Sequence, residues 1–387
     1  MPADETTRHT KYNKKNSTST MQAEQKETIS VIDLFFRLIR CGLGNETKLP
    51  RTPDTQEWDE LFNIAKKQTL AGIAFAGIEK LPQEQRPPKT ILLQWYNLAT
   101  LIRKTNADLN RKCAIVSGKF KSEGFANCIL KGQGLAQLYP DPTLRTPGDI
   151  DIWLDGGDTK AIEYVKRYFP ECSPTYHHVD FPISNDLDIE IHYRPSWSYS
   201  PITNKRLQCF FSSTAQEQFC NQISTPEGNF PTPTVAFNRI YILLHIYRHL
   251  FFEGIGMRQV LDYYYVLQQE MSDAEKAEYI SALKQFKLIK FAGAVVYVMQ
   301  QIFGLDKEHS IVKPNPKLGK FVLKEIMIAG NFGQYDHRYN LGKHEYTFKR
   351  AIETIKRNAT LITRFPGEIL WSPYFKTWHY FWRKRHG

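Results

Sequence analysis

The chain of 387 residues has no C-x-x-C pair. Its six cysteines, at 41, 113, 128, 172, 209 and 220, take no zinc-ribbon or zinc-knuckle spacing, which excludes a cysteine-based metal module. No run of about 18 apolar residues is present, so no transmembrane helix is expected. The opening Met-Pro-Ala-Asp-Glu-Thr lacks the apolar stretch of a signal peptide, and the expected setting is a reducing cytoplasm. There is no internal repeat. Acids are scarce at one end: residues 343–387 carry ten Lys or Arg against three Glu, a net +7 out of +11 for the whole chain. Such a surface suits polyanions such as nucleic acid, nucleoside triphosphates or anionic lipid.

What is there is enough apolar material for a sizeable core: 42% hydrophobic residues and 13% aromatics, too much for a disordered chain. Residues 1–28 are polar and read as a disordered tail. From 29 to 124 the periodicity is helical, giving an N-terminal helical lobe. Trp58, Leu61, Phe62, Ala65 and Thr69 recur at three- and four-residue steps. A second apolar helix covers 70–81, Pro87-Pro88 breaks the pattern, and a long helix follows over 90–120. Leu92, Leu93, Tyr96, Leu98, Leu101 and Ile102 form its expected apolar side. From 125 to 200 short strands (127–132, 149–154, 176–181 and 187–193) alternate with helical segments (134–139 and 159–168), as in an α/β layer. From 201 to 387 the reading is helical again, over 238–252, 258–268, 273–285, 288–303, 316–329 and 345–358. The expected class is mixed α+β, a small α/β sheet core between helical N- and C-terminal segments.

The chemistry concentrates in Arg145-Thr-Pro-Gly-Asp-Ile-Asp-Ile-Trp-Leu-Asp155. Strand alternation puts Asp149 and Asp151 on one face and Ile150 and Ile152 on the other. Their Cα atoms then lie ~6.7 Å apart, a spacing at which two carboxylates converge on hard cations. A second acidic strand, Leu187-Asp-Ile-Glu-Ile-His192, carries Asp188, Glu190 and His192 on one face. Antiparallel pairing would set Glu190 beside the first two acids, and three carboxylates can hold two metals. A lone D-x-D is usually a solvated face or turn, but here the acids flank isoleucines and a second acidic strand follows. A glycosyltransferase D-x-D ends an apolar strand, whereas here Thr146-Pro147-Gly148 precede the acids and the apolar residues follow. Upstream, Ile129-Leu-Lys-Gly-Gln-Gly134 ends a short strand in glycines that let backbone N–H groups approach a phosphate.

The stretches 130–139 and 145–153 together resemble the uncharacterised bacterial nucleotidyltransferase family of the DNA polymerase β superfamily. Gly132 matches that pattern's first glycine, Asp149 and Asp151 its acid pair, and Glu190 its third acid between apolar residues. Ile-Glu-Ile-His-Tyr-Arg194 is similar to the family's strand ending in His, and Gly254-Ile-Gly-Met-Arg-Gln-Val-Leu-Asp262 to a downstream helix start. The resemblance runs from about 126 to 265. It implies transfer of a nucleoside monophosphate from an NTP such as ATP to an acceptor hydroxyl, with release of pyrophosphate. It also implies Asp149, Asp151 and Glu190 as catalytic ligands of two Mg²⁺ ions, with Mn²⁺ as the alternative ion. Lys131, Gly132, Gln133, Arg145 and Arg258 are the expected nucleotide contacts. Two departures stand out. Gln133 replaces the second Gly or Ser of the glycine motif, and Asp188 also fits the apolar–acid–apolar pattern. Glu190 is preferred because it stands two residues before His192.

Other features carry competing readings. A non-catalytic descendant would bind nucleotide or a partner on the same fold. His245 and His249 share a helix face, but His-Ile-Tyr-Arg-His lacks the zinc-protease glutamate, and helix packing is the simpler role. Arg258 and Asp262 are four apart and suit an ordinary helix pair. For Arg145 and Lys131 the alternative to phosphate is solvent, or an ion pair with Asp141 or Asp155. The aromatic, basic stretch 365–385 could contact polyanions, single-stranded nucleic acid or a membrane surface. Its prolines argue against one long amphipathic helix, so it is expected to fold back as core with a charged end.

Overall fold

The computed structural model describes residues 29–183, 187–252, 254–336, 338 and 348–386. The polar tail read at 1–28 lies outside them. Four helices come first: α1 (Val31–Leu43), α2 (Thr55–Lys67), α3 (Ala71–Lys80) and α4 (Lys89–Ser122). Their starts are written locally. Ser30 with Asp33, and Asp54 with Glu57, form reciprocal capping boxes that satisfy the first free N–H groups of α1 and α2. α1 stops at Gly44, whose φ of +85° lets its N–H reach back to Arg40 and Cys41.

Pro88 opens α4, a helix of 34 residues that serves two of the apolar clusters among the described residues. Ile91, Trp95, Ala99 and Ile102 pack into the cluster around the other helices. Leu109, Cys113, Val116 and Phe120 pack into a second cluster beneath the sheet. The buried stripe differs from the one read in the sequence: Leu93, Tyr96 and Leu101 are more than half exposed. The first half of α4 has two apolar stripes, and Trp95, the larger side chain, turns the other one inward.

The sheet elements follow: β1 (Asn127–Leu130), α5 (Gly132–Ala136), β2 (Ile150–Leu154), α6 (Gly157–Tyr168), β3 (His178–Asp180) and β4 (Ile189–His192). The strand order is β1-β2-β4-β3. β1 is antiparallel to β2, and β3 is antiparallel to β4. β2 and β4 are parallel, with Asp151 opposite Glu190 and Ile150 opposite Ile189. The expected adjacency of Glu190 and the acid pair is thus present, but through parallel rather than antiparallel pairing. The reason is α6, whose 12 residues carry the chain back between β2 and the β3–β4 pair. Alternation divides the sheet. Ile129, Ile150, Ile152, Ile189 and Ile191 face α4 and α6, whereas Leu130 and Trp153 join the cluster of the C-terminal helices. Asp151 and Glu190 share that second face.

The rest is helical apart from one hairpin. α7 (Pro201–Cys220) leads into β5 (Gln222–Thr225) and β6 (Gly228–Pro231), a pair the sequence reading did not anticipate. Then come α8 (Val235–Phe252), α9 (Met257–Leu267), α10 (Asp273–Gln285), α11 (Ile289–Phe303) and α12 (Pro316–Ala329), followed by α13 (Phe348–Ile362), α14 (Pro366–Ile369) and α15 (Ser372–His386). The fold is α+β, a small sheet flanked by helices. No single described helix is long and apolar enough to cross a membrane.

Two helices, α14 and α15, and not one long helix, cover the C-terminal stretch. Pro366 and Pro373 sit in the first turns of α14 and α15, where proline costs least. α15 docks through Phe375, stacked on Trp197 at 4.1 Å and edge-on to Tyr176 at 5.4 Å. Its opposite side stays in solvent, with Tyr374, Tyr380 and Phe381 about half exposed or more. The tail is thus packed along one face only.

Candidate active site

The site lies between the acidic face of the sheet and helices α8 and α9. β1 ends at Leu130, opposite Asp151. Lys131 (φ +53°) and Gly132 (φ +40°) then turn the chain sharply into α5. For a lysine that backbone is costly, and it aims the side chain back across the sheet. Lys131 Nζ lies 2.8 Å from Asp151 Oδ2. The second glycine of the motif answers to packing, because a Cβ on Gly134 would collide with the Thr232 hydroxyl. Gln133 is buried and turned the other way, donating to Asn110 Oδ1 at 2.7 Å and to the Asn106 carbonyl at 3.3 Å. Its amide N–H groups are spent on α4, which leaves the turn to present backbone instead.

The loop before β2 is tied to α9. Arg145 grips Asp262 with two parallel bonds, Nε to Oδ1 at 2.7 Å and a terminal nitrogen to Oδ2 at 2.8 Å. The Tyr139 hydroxyl donates to the same carboxylate at 2.7 Å. Arg258 donates to the carbonyls of Thr146 and Pro147 at 3.0 and 2.8 Å. The partner of Arg145 is therefore Asp262, neither Asp141 nor Asp155, and Arg258 holds the loop backbone while Asp262 is engaged elsewhere. Between loop and helices is a cleft whose lining includes Lys131, Gly132, Gly148, Asp149, His245 and Arg258.

The electrostatics single out the acids. Asp149 is raised above the usual carboxylate range, first by the charge of Asp151 and then by burial. Burial would also raise Asp151, but Lys131 and the His192 hydrogen bond outweigh it and hold the carboxyl well below its usual range. His192 Nε2 lies 2.7 Å from Asp151 Oδ1 and 3.2 Å from Glu190 Oε2. Burial opposes its charge, yet these two carboxylates raise its pKa to about 9. Glu190 is lowered: burial opposes ionisation, and His178 and His192 prevail.

The donor set suits a divalent cation. Asp151, Glu190 and His192 each offer a ligand atom within 4.8 Å of the other two. Asp149 and Asp151 repel each other, which a cation between them would relieve. Asp151 already accepts from Lys131 and His192, but a carboxylate has about four lone-pair positions and can keep those bonds while binding an ion.

A model of an uncharacterised nucleotidyltransferase family matches residues 54–304, well over half of the chain. The chain belongs to this nucleotidyltransferase family. No curated protein matches the sequence. Among solved structures, the chain is similar to an antigenic nucleotidyltransferase-like protein from Paracoccidioides brasiliensis, at 11% identity over 56% of this chain and 95% of that one. The TM-score is 0.30. The span matched by the nucleotidyltransferase family runs from α2 to α11 and contains every residue named in the site. It ends before α12 and the basic tail.

Within the family span, the structure brings Lys131, Asp149, Asp151 and Glu190 together with His192, while Asp188 lies outside β4 and lends its carbonyl to the Ile150 N–H. His245 and His249 are neighbours on α8 with rings 4.3 Å apart, and burial lowers both, His249 to about 3. Sequence reasoning missed His177 and His178. His178 Nδ1 lies 3.1 Å from His177 Nε2 and 3.4 Å from Glu190 Oε2. Their signal was the alternation of His178 with Asp180, which pairing with β4 sets opposite His192 and Glu190.

Proposed function

We propose that this protein transfers a nucleoside monophosphate from an NTP to an acceptor hydroxyl and releases pyrophosphate. The observation that carries this reading is the parallel register of Asp151 and Glu190, with Asp151 paired to Lys131, beside a cleft lined by Lys131, Gly132, Asp149 and Arg258. Asp149, Asp151 and Glu190 are the residues that would hold two Mg²⁺ ions, with Mn²⁺ as the alternative. Bound there, such ions would neutralise the triphosphate and lower the pKa of the attacking hydroxyl. Lys131 and the Gly132 backbone face the cleft and supply positive charge and N–H donors for phosphate oxygens. Arg258 is a positioning residue, because its terminal nitrogen is spent on loop carbonyls. Arg145 acts the same way through Asp262. Glu190, still ionised and partly open to solvent, is placed to take the acceptor proton.

Incubation of the protein with each labelled NTP, Mg²⁺ and cell extract tests the reading. It predicts a labelled macromolecule or small product that forms with wild type and is missing with Asp151→Asn. A second reading, nucleotide binding without turnover, draws on Asp151 being already engaged by Lys131 and His192. It predicts saturable NTP binding with no pyrophosphate released under any acceptor condition.

A further inference from the structure

Beside the carboxylates is a cluster of imidazoles that nucleotidyl transfer does not require. Working outward from β4, His192 Nε2 lies 3.2 Å from Glu190 Oε2. Glu190 Oε2 lies 3.4 Å from His178 Nδ1, which in turn lies 3.1 Å from His177 Nε2. A tetrahedral zinc-type ion with ligands at 2.0–2.1 Å separates neighbouring donors by about 3.3–3.4 Å. Three of that tetrahedron's six edges are thus matched to within a few tenths of an ångström. The ring centroids form a closed triangle: His177 to His178 at 4.3 Å, His178 to His192 at 5.3 Å and His177 to His192 at 5.4 Å. Each ring offers a nitrogen within 4.8 Å of the other two.

One further observation points the same way. The cluster also has an outlet: the Glu190 carboxylate is 30% exposed, and Asp180, 3.9 Å from His178 Nε2, is 73% exposed at the sheet edge.

We propose that His177, His178 and His192, with Glu190, form a binding site for a tetrahedral divalent transition ion of the zinc type. Imidazole nitrogen suits such ions, whereas Mg²⁺ demands oxygen donors in near-octahedral geometry. The site therefore differs in donor chemistry from the carboxylates Asp149 and Asp151, although it draws on Glu190 and His192 from the group beside them.

The test is titration of the chelator-stripped full chain with Co²⁺, read by visible absorption, followed by displacement with Zn²⁺. The expected result is one equivalent of ion, with the intense band of tetrahedral cobalt, that Zn²⁺ abolishes and excess Mg²⁺ does not. His177→Gln and His178→Asn should each weaken Co²⁺ binding at least about tenfold. Asp149→Asn should keep the band while losing any transfer of labelled NMP. Zn²⁺ should raise the melting temperature of wild type but not of the two histidine variants, whose metal-free melting is compared first to establish that they fold. Absence of the band in wild type, or histidine variants that bind Co²⁺ like wild type, overturns the site. If the band is absent while NMP transfer persists, the transition-ion site alone fails. If the band is present while transfer is never seen, the site stands without the proposed activity.

Discussion

Asp262→Asn removes the charge that holds Arg145 in place. Both side chains are 5% exposed, their two bonds are 2.7 and 2.8 Å long, and Tyr139 adds a third to the same carboxylate. Breaking one half of a buried pair leaves an uncompensated charge and costs about 3–5 kcal/mol, a large share of the roughly 5–15 kcal/mol by which domains are stable. The attraction itself is worth much less, because both groups gave up water to form it. Replacing all three polar partners with apolar ones, as Arg145→Met, Asp262→Leu and Tyr139→Phe together, should therefore recover most of the loss. Urea unfolding followed by circular dichroism reads both values. A cost below about 1 kcal/mol for Asp262→Asn, or a triple variant no more stable than that single change, would refute the reasoning.

Other perturbations separate further parts of the account. Glu190→Gln should lower NMP transfer by about 10²–10⁴-fold, and Asp188→Asn only a few-fold, because the register sets Glu190 and not Asp188 opposite Asp151; the reverse ranking in a steady-state assay would move the role to Asp188. Phe375→Ala should cost about 3–5 kcal/mol, since its ring is buried against Trp197, whereas Phe381→Ala on the exposed side should stay within about 0.5 kcal/mol; equal effects in thermal unfolding would contradict one-sided docking. Glu275 is held at about 2 by the Ser272 backbone N–H first, then by the Ser272 hydroxyl and Arg239. A carboxyl lowered from 4.5 contributes stability that is complete above that value and is lost as pH falls toward about 2. Glu275→Gln should therefore lower the urea midpoint at neutral pH and flatten its fall over that window.

What was legible in the sequence was local. The period-2 pattern around Asp149 and Asp151 needs no partner to be read, and β2 follows it. The spans 273–285 and 316–329 coincide with α10 and α12, because Ser272 caps the first and Asn315-Pro316 opens the second. The adjacency of Glu190 could be anticipated from a second acidic strand, but its direction could not, since that depends on α6 carrying the chain across. The buried face of α4 was misread where two apolar stripes compete and only packing decides. The β5–β6 hairpin is short, with Ile223 and Phe230 as its inward residues, too few for a pattern. Arg145 finds Asp262 117 residues away, a distance over which no local rule operates. The histidines escaped because His177 and His178 gain meaning only once β3 lies against β4.

The central claim is that Asp149 and Asp151 make this sheet a nucleotidyl-transfer site. The most direct measurement is pyrophosphate release from labelled NTP with Mg²⁺ and acceptor extract, run on wild type, Asp149→Asn and Asp151→Asn, with circular dichroism to show that each is folded. The account predicts release by wild type, at least about a hundredfold less by either variant, and near-native spectra for all three. Full activity in a folded Asp151→Asn protein would contradict it.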